Sequence, residues 1–393
     1  MISALTKPEI QKFIDDHLND DPATLMLRAS KYPAWPMKAI VEQIQSKSKA
    51  KRKLPTWFRT PGIIYPPLLS MEQCSSEQTA KYKANLATGH KKMADLTGGF
   101  GVDFSAFAKF FQECHYVERN EELGTIVLHN FACLGFKNTH VHTDDSTNFL
   151  TENENFDLIY LDPARRGDRD QKVVRLEDCE PNVIDLLPTL LTKSKQVILK
   201  TSPLLDIKGA IKALKHVSEV HVLAVNNEVK ELLFILEESS TQEPNVRCTN
   251  LVRDGVEEFD FVFSEEEQLV YSFGEMNEYL YEPNASILKA GAFKAIADKF
   301  SLKKLHPNSH LYTADVLVCD FPGRSFEVLD EISLNKKYLK KLIPSMKANI
   351  TVRNYPMSVA QIRKKTGLKD GDEDYLFATS DRAGSKVFRT RKV

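Results

Sequence analysis

The sequence lacks the features that mark several common classes of protein. Its six cysteines are scattered and include no CxxC pair, which argues against a disulfide scaffold and a structural zinc site. No apolar run approaches the ~20 residues that span a bilayer. The first 25 residues contain four aspartates and no apolar segment typical of a secretory signal. We therefore expect a cytoplasmic protein without a membrane or metal partner, in which His140 and His142 have a structural role.

The chain also has almost no net charge, because its 53 basic and 54 acidic side chains leave a formal net charge of -1. The distribution is uneven. Residues 331–393 contain 15 Lys/Arg and 6 Asp/Glu, and residues 38–59 contain 7 and 1. Two basic segments therefore flank an acidic middle. This asymmetry is typical of proteins that bind nucleic acid, although lysines that only solubilise peripheral faces produce it too.

The periodicity of apolar residues predicts a parallel sheet in the middle of the 393-residue chain. Residues 1–58 are predicted to be helical and polar. From about 90 to 240, short apolar runs alternate with segments of helical period, which indicates βαβ units. The predicted strands are 92–96, 114–118, 138–143, 156–162, 195–201, 218–224 and 231–237. A link of only Asn226, Asn227 and Glu228 favours an antiparallel final pair.

The residues after 281 predict a small α+β module that carries most of the basic charge. A helix is expected around 288–299. The elements expected after it are a strand at 326–329, a helix at 334–342, a strand at 348–353, a helix at 359–366 and strands at 375–379 and 386–390.

A glycine-rich loop, DLTGGFGVD at residues 95–103, follows the first predicted strand and opens a helix. Its glycines allow a sharp turn and a close approach to a ligand. Phe104 stands where a dinucleotide-binding fingerprint needs its third glycine, so that pattern fails. A purely structural turn is the alternative.

Carboxylates follow the next two predicted strands. Glu118 comes 23 residues after Asp95, where an acid can accept hydrogen bonds from both hydroxyls of a ribose. The alternative is an acid that favours the start of the next helix. Asp144 and Asp145 follow the third strand, where either can bind an adenine amino group or cap a helix. The residues leave the choice between these two aspartates open.

The sequence DPARR, residues 162–166, closes the fourth predicted strand. Asp162 and Pro163 fall at the carboxyl edge of the sheet, where ligands bind in open α/β folds. Arg165 and Arg166 can hold a phosphate through paired N–H groups, or they can pair with nearby carboxylates.

Together these residues resemble the class I S-adenosylmethionine-dependent methyltransferases, and more narrowly the bacterial family with a C-terminal THUMP-like domain. The resemblance covers roughly residues 55–393. It is carried by EQCSSEQTAKYKA (72–84), DLTGGFGVD (95–103), DLIYLDPARR (157–166), LKTSPLLDI (199–207), NNEVKELLF (226–234), YEPNASILKAGA (281–292) and DFPGRSF (320–326).

The resemblance implies an α/β fold with a seven-stranded, Rossmann-like class I methyltransferase sheet. An N-terminal helical arm and a C-terminal α+β THUMP-like (ferredoxin-like) module complete it. The expected division is 1–70 for the helical region, 71–240 for the methyltransferase domain, 241–320 for a connector and small ferredoxin-like region, and 321–393 for the THUMP-like domain.

The resemblance also implies S-adenosyl-L-methionine as the cofactor and RNA as the substrate class. The residues implied to hold the cofactor are Asp95, Thr97, Gly98, Gly99, Gly101, Glu118, Asp145, Ser76, Glu77 and Thr79. Asp162 and Pro163 match the catalytic motif. Candidate RNA contacts are Arg165, Arg166, Lys51, Arg52 and Lys53, and basic segments of this kind bind phosphates in a salt-dependent way.

The catalytic motif departs from two related patterns. Enzymes that methylate base amino groups have a second proline and an aromatic that stacks on the flipped base, where this chain has Ala164 and Arg165. Uridine C5 enzymes need a cysteine after the fifth strand, where this chain reads TSPLL. The sequence therefore predicts an RNA methyltransferase without assigning the acceptor atom. A protein or small-molecule methyltransferase, or a cofactor-binding RNA adaptor without turnover, are the alternatives.

Overall fold

The computed structural model describes residues 2–89, 91–165, 175–240 and 243–393. The chain divides into two compact units, Met1–Val217 with Phe234–Thr241 and Ser218–Leu233 with Gln242–Val393. Among the described helices, none is both long and apolar enough to cross a membrane. The four-part division expected from the sequence stays a prediction.

The first unit begins with helices, as the sequence predicts. They are α1 (Ile2–Leu5), α2 (Pro8–Asp16), α3 (Pro22–Leu27), a 3-10 turn (Ala29–Lys31), α4 (Met37–Lys53), α5 (Pro55–Arg59), α6 (Leu68–Gln73) and α7 (Glu77–Ala84). Ile40, Val41 and Ile44 on one face of α4 pack with Ile10 and Ile14 of α2, and this apolar contact holds the arm together.

Alternating strands and helices follow in the first unit. They are β1 (Lys92–Asp95), α8 (Val102–Phe107), β2 (Glu113–Glu118), α9 (Glu121–Cys133), β3 (Thr139–Thr143), α10 (Ser146–Glu152), β4 (Phe156–Leu161), β5 (Ala164–Arg165), β6 (Cys179–Glu180), α11 (Val183–Lys193), β7 (Ser194–Thr201) and α12 (Ile207–Leu214). The sheet order in this unit is β3-β2-β1-β4-β7, and every pair is parallel.

The register of this sheet brings the ends of its strands together. Asp95 at the end of β1 lies beside Tyr116 of β2 and Tyr160 of β4, and Glu118 lies beside Thr143. Because the strands are parallel, the side chains that follow them gather at one carboxyl edge.

The second unit extends the same pattern with β8 (Val217–Val225), β9 (Glu228–Leu236), β10 (Asn245–Val252), β11 (Gly255–Val262) and α13 (Glu265–Gln268). Its order is β9-β8-β10-β11, and the last three residues of β9 belong to the first unit, where they follow β7. Asn226 and Asn227 both have positive φ, 50° and 63°, as in a tight hairpin turn between β8 and β9.

The predicted seven strands are therefore present, and two more are added. β10 pairs in parallel with β8, and β11 pairs antiparallel with β10. The sequence analysis expects a connector in this part of the chain. Val246 and Cys248, and likewise Phe259 and Phe261, nevertheless alternate as in strands with one buried face.

The rest of the second unit forms a mixed sheet. Its elements are β12 (Tyr279–Pro283), α14 (Ala285–Ala290), α15 (Phe293–Lys299), β13 (Lys303–Lys304), β14 (Tyr312–Ala314), β15 (Gly323–Glu331), α16 (Lys336–Leu342), β16 (Asn349–Arg353), α17 (Val359–Thr366), β17 (Asp374–Ser380) and β18 (Ser385–Lys392). The strand order is β13-β14-β12-β15-β18-β17-β16. The single helix predicted at 288–299 is two helices, because Gly291 adopts a left-handed conformation (φ 76°) that ends α14.

Candidate active site

A cavity of about 320 Å³ opens at the carboxyl edge of the first unit's sheet. The residues used below that line it are Ser75, Asp95, Thr97, Gly98, Gly99, Gly101, Asp103, Glu118, Arg119, Asp144, Tyr160, Asp162 and Glu180. They come from the ends of β1, β2, β3 and β4, from the glycine-rich loop and the first turn of α8, from β6 and from the segment before α7. The strand-end residues that the sequence singles out therefore converge, with the exceptions given below.

The glycine-rich loop forms the centre of the cavity wall. A Cβ on Gly98 would lie 2.1 Å from the ring of Tyr116, so only glycine fits there. Gly101 has φ 77°, and a Cβ on it would lie 2.8 Å from Phe131. A Cβ on Gly99 would meet nothing closer than a backbone oxygen at 3.7 Å. The loop thus packs closely against β2 at Gly98 and against α9 at Gly101, and it is open at Gly99.

Asp95 lies under this loop and is 1% exposed. Its carboxylate accepts a hydrogen bond from the backbone N–H of Thr97 at 3.0 Å. Burial raises the pKa of Asp95 well above its ordinary value, and the negative charges of Asp103 and Asp162 add to this effect. The site therefore holds a buried acid whose ionised form needs a positive charge nearby.

Glu118 is held at the tip of β2 by two backbone donors. One oxygen accepts from Gly99 N at 3.0 Å and the other from Asn120 N at 2.9 Å. Each carboxylate oxygen has more than one acceptor position. The side chain is thus fixed against the glycine loop while it retains acceptor capacity.

Asp162 follows β4 and is fixed from two sides. Its backbone N–H donates to the hydroxyl of Thr97 at 2.6 Å. Its carboxylate pairs with the ammonium of Lys200 at the end of β7, and the side chains of Asp162 and Lys200 are 38% and 12% exposed. The half-exposed carboxylate therefore lines the cavity in a fixed orientation.

A second acid below the cavity was not singled out from the sequence. Asp103 accepts hydrogen bonds from Ser75 and Tyr160, both at 2.8 Å, and lies 3.2 Å from the ammonium of fully buried Lys83. Burial raises its pKa, but Lys83 and Lys200 outweigh that effect, so the pKa lies below its ordinary value.

The sequence contains a clue to this buried ion pair that the sequence analysis did not use. Asp103, Lys83 and Lys200 all lie inside stretches that carry the family resemblance. Lys83 stands between Ala80 and Ala84 on the buried face of α7, where a lysine needs a partner. Charged residues at otherwise apolar positions of a helix were the available clue.

The structure separates Asp144 from Asp145. Asp144 lines the cavity, and one of its oxygens accepts from Asp145 N at 2.7 Å. Asp145 is the N-cap of α10 and accepts from Thr147 N at 2.8 Å. Of the two, Asp144 is the one positioned for a ligand, because the Asp145 carboxylate is used in capping.

The segment before the first strand contributes different residues from those expected. Ser76 is the N-cap of α7 and accepts from Thr79 N at 3.2 Å, and Thr79 is buried. Glu77 accepts from the backbone N–H groups of Thr56 and Trp57 at 2.6 and 3.2 Å. These three side chains are engaged in local structure, whereas the residues just before them, Gln73, Cys74 and Ser75, lie in the cavity wall.

The candidate RNA contacts on α4 differ in their exposure and in their hydrogen bonds. Lys51 and Arg52 are exposed on α4, whereas Lys53 donates to the carbonyl oxygens of Met71 and Glu72 at 2.9 and 2.7 Å. Lys53 therefore ties α4 to the cavity segment, and burial lowers its pKa.

The other singled-out residues of the DPARR sequence are Pro163, Arg165 and Arg166. Pro163 lies between two residues that line the cavity, Asp162 and Ala164. Arg165 is the second residue of β5, and Arg166 lies outside the described residues.

His140 and His142 lie on β3 and contact His115 of β2. The ring of His115 stacks on both, with centroids 5.1 and 5.2 Å apart. Its Nδ1 lies 3.0 Å from His142 Nε2, and its Nε2 lies 2.6 Å from Glu113. In the described part of the chain, no group of three or more His, Cys, Asp or Glu side chains has a geometry that could hold a metal ion.

The carboxylates that line the cavity fit a cationic ligand that carries a ribose. The buried acid Asp95 has no lysine or arginine within ion-pair distance among the described residues, and Gly99 leaves space beside it. Glu118 offers paired acceptors of the kind that bind ribose hydroxyls. S-adenosyl-L-methionine, with its sulfonium, ammonium and ribose, matches these features.

Comparisons with known proteins agree with this geometry. The family model of a ferredoxin-like domain matches residues 279–322, and the family model of a THUMP domain-like module matches residues 323–392. No curated protein matches the chain. A methyltransferase candidate from Porphyromonas gingivalis W83 is 34% identical, has a TM-score of 0.89, and is aligned over 98% of both chains.

Two further solved structures resemble part of the chain. An rRNA methylase from Streptococcus thermophilus is 13% identical with a TM-score of 0.31, and covers 41% of this chain and 94% of its own. A methyltransferase candidate from Streptococcus mutans in complex with SAH is 11% identical with a TM-score of 0.30, and covers 41% and 96%. Both similarities are confined to less than half of this chain.

The sheet order and the glycine loop define a class I methyltransferase fold. The full-length similarity and the C-terminal domain matches narrow this further. The chain belongs to the bacterial family of S-adenosylmethionine-dependent methyltransferases that carry a C-terminal THUMP-like domain.

Proposed function

We propose that this protein transfers a methyl group from S-adenosyl-L-methionine to RNA. The observation that carries the proposal is the cavity in which Asp95, Glu118 and Asp162 meet around the glycine loop. The proposal on RNA rests on the C-terminal module and its charge.

The cofactor would be held by the cavity residues in separate parts. We assign the ribose to Glu118, the adenine side to Asp144, and the positively charged methionine part to Asp95 and the loop at Gly99. When bound, the cofactor supplies a methyl group that is already activated by a sulfonium. The protein therefore has to position an acceptor and exclude water rather than activate the methyl donor.

Asp162 is the residue that we assign to the acceptor. Its carboxylate is oriented by Lys200 and its backbone by Thr97, so it can accept a hydrogen bond from an acceptor N–H or O–H in one fixed direction. Arg119 and Glu180 form an ion pair of 2.6 Å at the cavity wall.

RNA as the substrate class is supported by a lysine face on the THUMP-like module. The face consists of exposed lysines on α16, on α17 and in the segment that follows each of them: Lys336, Lys337, Lys340, Lys341, Lys347, Lys364, Lys365 and Lys369. Within the ranges that the structure describes, none of these lysines forms an ion pair with a carboxylate. Unpaired lysines on one surface favour a polyanion, and their counterions are released on binding.

Calorimetric titration with S-adenosyl-L-methionine tests the cofactor assignment. We expect the wild type to bind and Glu118→Ala to lose more than tenfold in affinity, because a charged hydrogen bond is worth about 1.5–3 kcal/mol. Glu121→Ala, at an acid in the first turn of α9 outside the cavity, is the matched control and should bind as the wild type does. Absence of binding by the wild type would overturn the proposal.

Transfer of labelled methyl groups to total RNA tests the substrate class. We expect label in RNA with the wild type, and a loss of about 100-fold or more with Asp162→Asn, since the acceptor then lacks its oriented carboxylate. Asp185→Asn, at an exposed acid of α11, is the control. Label in protein or in small molecules instead would assign a different acceptor, and cofactor binding without any transfer would indicate an adaptor.

A further inference from the structure

The second unit contains a cluster of two arginines around one buried glutamate. Glu282 at the end of β12 is 3% exposed. One of its oxygens accepts from Arg324 Nε at 2.8 Å and from Arg324 Nη2. The other accepts from Arg353 Nε at 2.9 Å and lies 2.9 Å from Arg353 Nη2 in an ion pair. Arg324 and Arg353 keep side-chain exposures of 35% and 43%. The cluster carries a net positive charge and is open to solvent on the arginine side.

This cluster depends on the curvature of the sheet. Arg353 is on β16 and Glu282 on β12, and three strands lie between them in the sheet order. In a flat sheet four strand spacings are about 19 Å, more than these side chains bridge. The sheet is therefore curled, and the arginines meet on its concave face.

Close packing fixes the position of the first arginine. A Cβ on Gly323 would lie 2.3 Å from the carbonyl oxygen of Glu282, so β15 can approach β12 this closely only with glycine. The guanidinium of Arg324 lies over the rings of Phe326 and Phe377, at 5.5 and 5.9 Å from their centroids. These contacts account for the stretch DFPGRSF, which the proposed catalytic site does not use.

The cluster retains unused hydrogen-bonding groups. The Nη1 groups of Arg324 and Arg353 have no hydrogen-bond partner among the described residues. Thr379 lies directly across from Arg353 in the register of β16 and β17, and therefore on the same face. Its hydroxyl is fully buried and also lacks a partner in the part of the chain that the structure describes. Buried polar groups are nearly always paired, so this hydroxyl beside Arg353 is an unsatisfied group at the cluster.

We propose that Arg324 and Arg353 form a binding site for one phosphodiester group of an RNA chain. A guanidinium whose orientation is fixed by a buried carboxylate presents its remaining N–H donors in the planar pattern that phosphate oxygens accept. The site is distinct from the lysine face, whose charges are flexible and exposed. The choice of RNA as the source of the phosphate rests on the proposed function.

Protection of arginines in the wild-type protein tests the site without a mutation. The full chain is modified with phenylglyoxal, and each arginine is quantified by mass spectrometry with and without a short single-stranded RNA. We expect RNA to slow the modification of Arg324 and Arg353 at least threefold. Arg247, which is 37% exposed and paired with Asp260, is the matched control and should be unaffected.

Inorganic phosphate at the same phosphate concentration distinguishes the two sources. Protection by RNA alone supports the proposal. Protection by inorganic phosphate to the same extent would make this a free-phosphate site and overturn the assignment to RNA. Protection by neither would overturn the phosphate site itself.

A substitution gives the matching measurement. For Arg353→Gln we expect RNA affinity to fall about tenfold and the slope of log K against log salt to decrease by about 0.7, as for one lost phosphate contact on a single strand. Arg389→Gln removes the same charge from an arginine that is paired with Asp330 and Asp374, and it should leave the slope unchanged. Equal slopes for wild type and Arg353→Gln would contradict the site.

These results separate the site from the proposed function. Wild-type RNA methylation with no protection of the two arginines would reject the site and leave the function in place. Protection by RNA without any methyl transfer would reject the function and leave the site in place.

Discussion

The two units of this protein place opposite charges where we propose that their ligands bind. The cavity of the first unit is lined by the carboxyl groups of Asp95, Glu118, Asp144 and Asp162. In the second unit two arginines surround a single glutamate, and unpaired lysines cover α16 and α17. A cationic cofactor suits the first unit and a polyanion suits the second.

The units also differ in how they use a buried ion pair. Lys83 and Asp103 are both buried, with side-chain exposures of 0% and 10%, so their opposite charges stabilise each other. Glu282 is equally buried, but its arginines reach solvent. The fully buried Lys83–Asp103 pair supports the base of the cavity. The arginines paired with Glu282 reach solvent and can present oriented N–H donors to a ligand.

Lys83→Met is expected to have the largest effect, because it breaks the buried Lys83–Asp103 pair. The substitution leaves Asp103 buried with one cation fewer, and we expect the free energy of unfolding to fall by about 3–5 kcal/mol. Urea denaturation followed by circular dichroism measures the loss. Lys195→Met is the control, since Lys195 is 78% exposed and its pair with Asp157 should contribute less than about 1 kcal/mol. Similar losses in both variants would refute the distinction.

Gly98→Ala tests how tightly the acidic cavity is built. The new Cβ would overlap the Tyr116 ring, so we expect the loop to move, at a cost of about 1–3 kcal/mol in stability. Cofactor affinity measured by calorimetry should fall more than tenfold. Gly135→Ala is the comparison, because Gly135 also has a positive φ (81°) but nothing lies within 4 Å of its Cβ position. Its strain of about 1–2 kcal/mol should leave cofactor binding unchanged. Unchanged binding by Gly98→Ala would show that the loop does not shape the cofactor site.

Asp95 should give the cavity a pH dependence of definite sign. Burial raises the pKa of Asp95, so this acid stays protonated to higher pH than an ordinary aspartate. A bound cation favours the carboxylate and lowers that pKa. Between the two values binding releases up to one proton per cofactor, and the affinity rises with pH. Titration calorimetry in buffers with different ionisation enthalpies counts this proton.

The variant Asp95→Asn should release no proton at any pH. Asp144→Asn keeps the buried acid and should release the same fraction as the wild type. Proton uptake in place of release by the wild type would contradict the assignment of the positive charge to Asp95.

The smallest expected effect concerns the lysine face of the second unit. Lys340→Ala combined with Lys364→Ala removes two exposed charges, one from α16 and one from α17. The slope of log K for RNA against log salt should decrease by about 1.4 for a single strand. Lys386 and Arg363 are already paired with Glu331 and Asp370, so Lys386→Ala with Arg363→Ala is the matched double control. An equal change in both doubles would mean that only net charge matters.

The elements of this fold were largely predictable from local pattern. Alternating apolar runs and helical periods place the strands from β1 to β4, and the six elements from β15 to β18 are found close to their predicted positions. The helix predicted at 288–299 is wrong as one helix, since a single left-handed glycine divides it. The strands β10 and β11 were missed, although Phe259 and Phe261 alternate with more exposed residues as in a strand with one buried face.

The sequence by itself determined the strand-end acids, because an acid that follows a parallel strand must lie at the carboxyl edge. Asp95, Glu118 and Asp162 are there for that reason. Only the tertiary structure distinguishes Asp144, which lines the cavity, from Asp145, which caps α10. It also decided the pairing of Asp103 with Lys83, and the meeting of Arg353 with Glu282 across a curled sheet. Such contacts join residues far apart in the chain, and local pattern carries no record of the distance between them.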